Sequence, residues 1–341
     1  MDKRHLIHIG LVLAASLSTS QAFAGKTLDA IKQRGHLLCG VSTGVAGFSA
    51  PDDKGHWSGF DVDVCRALAA AVLGDAEKVN FVPLNSQQRF TALQSSQIDV
   101  LSRNTSWTLT RDASLGFNFA AITYFDGQGF LIPKKLKVTS AKQLKNAQVC
   151  VQSGTTTEKN LADYSKANKL SLKPIVFDTY DASLKAFFAG RCQAFTADAS
   201  ALASVRNKEA PKPDDYLILP ELISKEPLGP AVRRGDDDWF AIVKWTVFAM
   251  QESEELGLTR ANVDQMKSST DPSVQRMLGG GEDMGKLLGL DKQWALRIVK
   301  AVGNYGEVFE RNIGAQSPLK LPRGANKLWS QGGLIYAPPV R

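Results

Sequence analysis

Two runs of alternating strand and helix patterns follow one another along this chain, and that repetition narrows the fold more than any other feature. In the first run, Leu37 to Val41 reads as a buried strand, and Asp61 opens a helix whose Val64, Leu68, Ala71 and Val72 recur at helical spacing. Strand Val79 to Val82, helix Ser86 to Gln94 and strand Ile98 to Leu101 follow. In the second run, strands Gln148 to Val151, Pro174 to Phe177 and Cys192 to Thr196 alternate with helices Thr156 to Ala167, Asp181 to Ala189 and Ala199 to Arg206. Strands separated by helices of this length pair in parallel, so each run predicts its own α/β unit.

Between the runs lies Ile122 to Ile132, an extended stretch carrying Gly127 and Gly129. After the second run the chain extends again through Tyr216 to Leu219 and Leu228 to Arg233. These are the two places where the chain can cross between units, which makes residues 25–127 and 224–341 one lobe and 128–223 the other. From Asp236 the pattern is helical, with Trp239, Ile242, Val243, Val247 and Met250 on one face. A Gly279–Gly281 break and a long helix Asp291 to Arg311 follow. The last stretch, Pro318 to Arg341, reads as an extended segment over the core, with Leu328, Trp329 and Tyr336 as its apolar residues.

The first residues indicate the compartment. Lys3 and Arg4 precede an apolar run from Ile9 to Leu17 and a small-residue site at Ala22-Phe23-Ala24, the pattern of a secretory signal peptide (residues 1–24) cut after Ala24. The run is broken by Ser16 and Ser18 to Gln21, well short of the about 20 apolar residues that a membrane span needs. Cys39, Cys65, Cys150 and Cys192 then meet an oxidising compartment, which favours disulfides over zinc or free thiols. Four cysteines allow three pairings. Cys39 with Cys65, and Cys150 with Cys192, is the expected set, each within one unit. The net charge of +7 is spread through segments that also carry Asp and Glu, which speaks against a nucleic-acid surface.

Catalytic signatures are sparse. His36 and His56 form no two-histidine metal spacing, and the chain holds no P-loop, dinucleotide fingerprint or G-x-S-x-G turn, so neither metal nor cofactor is expected. Ligands of open α/β sheets bind outside the carboxyl ends of the strands, and three segments sit there. Asp99 to Asp112 offers hydroxyl and amide groups followed by Arg111, whose fork suits a carboxylate. Gln152 to Glu158, with Thr155 and Thr156, is a glycine-containing turn into a helix whose free amides can receive an anion, or simply a threonine N-cap. Asp198 closes the third strand and can hold an ammonium group, or cap the next helix. A cation on one lobe facing an anion and free amides on the other describes a clamp for a zwitterion.

In the order and spacing of Gly59-Phe60-Asp61-Val62-Asp63-Val64, the Asp99 to Arg111 run, the Gln152 to Thr156 turn and Asp198, the chain resembles the polar-amino-acid family of extracellular solute-binding proteins. Asn85 to Leu93, Ser102 to Trp107 and the ending Gly332 to Pro339 are similar to the branch serving general L-amino-acid importers. The resemblance implies a two-lobed periplasmic binding protein fold of type II, with two hinge crossings and a helical C-terminal extension. It implies a monomer that carries free L-amino acids, over a broad range, to the permease subunits of an ABC transporter in the inner membrane. By the same carry-over Arg111 takes the α-carboxylate with the Ser106 position and the amide of Thr156, and Asp198 takes the α-amino group with Asn104 nearby. Many relatives have two serines where this chain has Arg103 and Asn104, and an aromatic shelf near Val45, which here is supplied by Phe48 or Trp107 or is absent. The competing expectation is a dehydratase of cyclic amino acids on the same fold, with His56, Glu158 or Asp181 as its added acid or base.

Overall fold

The computed structural model describes residues 26–341, so the expected signal peptide and its cleavage site lie outside the described residues. Two five-stranded sheets share one plan. In the first, Val79–Pro83, Leu37–Val41 and Val100–Leu101 run parallel, and Ala231–Arg233 returns antiparallel between Val100–Leu101 and Phe117–Phe119. In the second, Lys173–Phe177, Gln148–Gln152 and Ala194–Asp198 run parallel, and Gln128–Pro133 lies antiparallel between Ala194–Asp198 and Tyr216–Ile218. The near-continuous burial of Leu37–Val41 and Gln148–Gln152 follows from helices covering both faces of a parallel sheet. Between the sheets, Tyr124–Asp126 pairs antiparallel with Glu226–Leu228, Asp126 opposite Glu226. The fold is thus two-lobed α/β with a two-stranded ribbon at the junction.

Local sequence explains how the helices begin. Gly59 precedes helix Phe60–Leu73 with φ +132°, and a Cβ there would lie 2.1 Å from the carbonyl oxygen of Phe48, so only glycine lets the two segments approach. The disulfide Cys39–Cys65 then ties that helix to Leu37–Val41, the middle of the three parallel strands in the first sheet. In the second lobe Cys150, in the middle parallel strand Gln148–Gln152, is joined to Cys192, just ahead of Ala194–Asp198. Thr155 and Thr179 cap helices Thr156–Ala167 and Tyr180–Phe188 through their hydroxyls, satisfying amides that have no partner within the helix.

The chain after Arg233 packs against helix Phe60–Leu73 beside the first sheet. Helix Asp237–Glu255 buries Trp239, whose indole N–H donates to the carbonyl of Asp99 at 2.9 Å, and helix Trp294–Val302 packs along Phe60–Leu73. Each fully buried large side chain of this kind contributes about 1.5–3 kcal/mol. The single helix expected over Asp291 to Arg311 is in fact two, Trp294–Val302 and Tyr305–Asn312. Gly303 turns the chain at φ +88°, and Asn304 with Glu307 forms a reciprocal capping box that starts the second helix afresh. The tail crosses the core as an extended segment with Leu328, Ile335 and Val340 buried, whereas Trp329 and Tyr336 face outward and pack on each other at 5.5 Å. Arg323 forks onto Glu254 at 3.0 and 3.1 Å and lies over the rings of Tyr305 and Phe309, and the Asn326 side chain both accepts from and donates to the Phe125 backbone.

The Cys150–Cys192 bridge closes a separation of 42 residues. Replacing both cysteines by serine is expected to cost about 4 kcal/mol by the chain-entropy relation, read as a lower urea midpoint with the fold retained.

Candidate functional site

The parallel strands of both sheets end at one cleft, and the residues that follow them line it. Ser42 and Thr43 come after Leu37–Val41, Ser86 and Arg89 after Val79–Pro83, and Arg103, Asn104, Ser106 and Arg111 after Val100–Leu101. From the other lobe come Thr155, Thr156 and Thr157 after Gln148–Gln152, Tyr180 after Lys173–Phe177, and Asp198 at the end of its strand. The lobes meet across the cleft. The Ser86 hydroxyl donates to Gln152 Oε1 at 3.1 Å, and Gln87 Nε2 donates to the Ser153 hydroxyl at 2.8 Å. Between them lies a void of ≈ 60 Å³, room for a few waters or a small polar molecule.

Arg111 is 7% exposed and donates through Nη1 to the carbonyl of Ser106 at 2.8 Å, which aims the rest of its fork at the void. The Ser106 hydroxyl is occupied by Glu226, so this serine positions Arg111 through its backbone. Asn104 sits at φ +28°, with its N–H donating to the buried carboxylate of Asp61 at 2.7 Å. Thr155 and Thr156 stand at the start of their helix, where the dipole favours negative charge. Asp198 is 8% exposed and faces these groups from the second lobe. Burial, then the neighbouring carboxylates Asp126 and Glu226, hold its pKa well above the ordinary range. Burial also lifts Asp126 to about 6 and Asp61 to about 7, and lowers Arg103 and Arg111 to about 10.

Several cleft residues gave no clear signal in the sequence. Arg89 belongs to a short helix and reads as a surface cation, yet it is 3% exposed. Glu226 lies on the junction ribbon and gathers four donors: the hydroxyls of Ser106, Thr156 and Ser224 and the amide of Asn160. Three buried polar atoms on the lining have no protein partner, namely Arg89 Nε, Asn104 Oδ1 and the Tyr180 hydroxyl.

Two expectations for the lining are corrected. Phe48 is fully buried beside Phe60 and Tyr124 in the first lobe's aromatic core, because the Val45–Ser49 turn points it inward. Trp107 leaves the cleft as well: its ring stacks on Phe119 at 5.7 Å, and its indole N–H donates to Asp112 on the outer face. Val45 itself does line the cleft, so the wall at that place is aliphatic. Of the groups named for catalysis, His56 and Asp181 are exposed and paired with Asp52 and Lys185, and Glu158 caps the amide of Gly154. None of them lines the cleft.

Residues 37–260 match the sequence model of the bacterial extracellular solute-binding proteins, family 3. The chain belongs to that family. It is 54% identical over 99% of its length, and 100% of the relative's, to the general L-amino acid-binding periplasmic protein AapJ of Rhizobium johnstonii. It is 52% identical, covering 97% of this chain and 98% of the relative, to the glutamate/glutamine/aspartate/asparagine-binding protein BztA of Rhodobacter capsulatus. A solved periplasmic binding protein from Brucella ovis, with glutathione bound, superposes at a TM-score of 0.91 with 55% identity, covering 92% of this chain and 99% of that one. Family 3 membership agrees with the two-lobed sheet plan and with a cleft at the strand ends. Among the described residues no helix is long and apolar enough to cross a membrane, and no cluster of His, Cys, Asp and Glu has a metal-binding arrangement.

Because Glu226 answers four donors away from solvent, Glu226→Ala is expected to leave them partly unsatisfied and to destabilise the protein by about 2–4 kcal/mol, measured by denaturant titration.

Proposed function

We propose that this protein is the periplasmic substrate-binding component of an ABC importer. It encloses one free L-amino acid between its lobes without transforming it and presents the closed form to the permease subunits. The observation that carries this reading is the placement of Arg111 from one lobe and Asp198 from the other on the lining of one cleft, a charge pattern complementary to the carboxylate and ammonium of an α-amino acid. Arg111 grips the α-carboxylate together with the amide of Thr156 at the helix start. Asp198 takes the α-ammonium, and Asn104 Oδ1, a buried acceptor without a protein partner, completes its coordination. The names of the relatives, a general L-amino acid-binding periplasmic protein and a glutamate/glutamine/aspartate/asparagine-binding protein, support the same assignment.

The lobe boundaries of this reading are 25–127 and 224–341 for one lobe and 128–223 for the other. Pairing of Tyr124–Asp126 with Glu226–Leu228, apart from both large sheets, supports crossings at those strands. A ligand that touches both lobes stabilises the closed form because only there are both sets of contacts made. The mature chain begins after Ala24 and acts as a monomer.

Removal of the carboxylate fork is the direct test. Arg111→Ala is expected to weaken L-amino-acid binding at least about 100-fold in isothermal titration of refolded, ligand-free protein, the loss of two charge-assisted hydrogen bonds. Less than a tenfold loss would remove Arg111 from the role. A second test uses pH. The ammonium requires ionised Asp198, whose pKa is raised in the ligand-free protein, so binding releases a proton wherever that group is still protonated. Affinity is therefore expected to rise with pH through the ligand-free pKa, over a range well above the about 3.9 of an ordinary aspartate. Asp198→Asn is expected to bind weakly and to lose this dependence, and an unchanged profile would exclude Asp198 as the ammonium partner.

A further inference from the structure

The void is lined by three guanidinium groups, Arg89, Arg103 and Arg111, against one carboxylate, Asp198. All three arginines are at least nine-tenths buried. Their protein partners are neutral. Arg103 donates through Nε to the carbonyl of Leu84 at 2.9 Å and through Nη2 to the Ser86 hydroxyl at 3.2 Å. Arg89 donates to the Thr105 hydroxyl at 3.3 Å and reaches the carbonyl of Gly154, in the other lobe, at 3.5 Å. The three cleft arginines are the only buried arginines among the described residues, and none of them meets a carboxylate within 4.0 Å. A buried charge without a counter-charge is costly, and water cannot screen it once the lobes close.

An α-amino acid with a neutral side chain does not settle this balance. Its carboxylate answers Arg111 and its ammonium answers Asp198, so Arg89 and Arg103 gain no counter-charge from it, and Arg103 keeps only the attraction of the buried Asp61, which the Asn104 amide also engages. Arg89 and Arg111 share one aromatic neighbour, the Phe90 ring, whose centroid lies 4.7 Å from the Arg89 guanidinium carbon and 5.2 Å from that of Arg111. Arg89 Nε and the Tyr180 hydroxyl, both buried and without protein partners, belong to residues that line the same void. Burial first, then repulsion from neighbouring guanidiniums, lowers the pKa of Arg89 and of Arg103, against the attraction of Asp61 on Arg103.

We propose that Arg89 and Arg103 form a second anion subsite in the cleft, so that the preferred ligands are L-amino acids whose side chain carries a second carboxylate. The side-chain acid lies on Arg89 and Arg103 while the α-carboxylate stays on Arg111. This inference rests on the amino-acid-binding reading above. Amides of the same shape still enter, because their oxygen accepts from a guanidinium, but they bring no charge and bind less tightly.

The experiment compares L-glutamate, L-glutamine and L-alanine by isothermal titration against protein unfolded, stripped of ligand and refolded, at pH 7.5 and low salt. The expected result is at least tenfold tighter binding of glutamate than of glutamine, with alanine weaker still. Arg89→Gln and Arg103→Gln, singly, are each expected to reduce the glutamine-to-glutamate ratio of Kd values severalfold. The ratio is the readout because a general packing defect lowers both affinities together. Equal affinity for glutamate and glutamine in the unaltered protein overturns the proposal, even if a variant fails to fold, while leaving the amino-acid reading intact. Persistence of the full preference in both folded variants also overturns it, by moving the subsite elsewhere. Failure of every amino acid to bind sinks the amino-acid reading itself and this inference with it.

Discussion

Closing two lobes over charged side chains removes the water that made those charges tolerable, and much of the local architecture answers that constraint. Arg103 is held by a carbonyl and a hydroxyl, Arg89 by a hydroxyl and a carbonyl of the opposite lobe, and Arg111 by the carbonyl of Ser106. Such partners orient a guanidinium but cannot neutralise it. The acids nearby are divided in role. Glu226 is engaged by four donors at the junction and Asp61 by the amide of Asn104, which leaves Asp198 as the carboxylate on the lining. A cleft built this way is poised toward an anionic guest, and its closed form is better satisfied full than empty.

The polarity of the cleft follows from the direction of the strands. In each sheet three parallel strands deliver their carboxyl ends to the same edge. Short polar loops and helix starts then present hydroxyls, amides and unpaired N–H groups there. The antiparallel return strands carry the chain back through the junction ribbon, so Glu226 can contact Ser106 of one lobe and Thr156 of the other. Junction and cleft are therefore chemically continuous rather than separate parts.

Much of this was legible in the sequence because it depends on periodicity and strand ends. Helix Thr156–Ala167 falls where the pattern put it, and Arg111, Asn104, Ser106, Thr155, Thr156 and Asp198 gather in one cleft because each follows or ends a parallel strand. What was not legible depends on long-range packing. Arg89 and Arg103 look like solvated cations until the opposite lobe covers them, and Glu226 looks like any acid beside a proline. Phe48 and Trp107 were assigned to the cleft by the need for an aromatic wall, but the Val45–Ser49 turn and the stack on Phe119 direct them elsewhere. The break at Gly303 was hidden by an apolar pattern that continues through it, since both helices face the same core.

The Asn326 side chain has a consequence for how this molecule meets others. A two-stranded ribbon leaves two free edges, and a free edge is a template on which another extended chain can dock. On the Tyr124–Asp126 strand, Asn326 accepts from the Phe125 N–H and donates to the Phe125 carbonyl, taking both backbone positions that a neighbouring strand would use. One primary amide thereby serves as a third strand one residue long, and the tail blunts this edge of the ribbon against adventitious pairing.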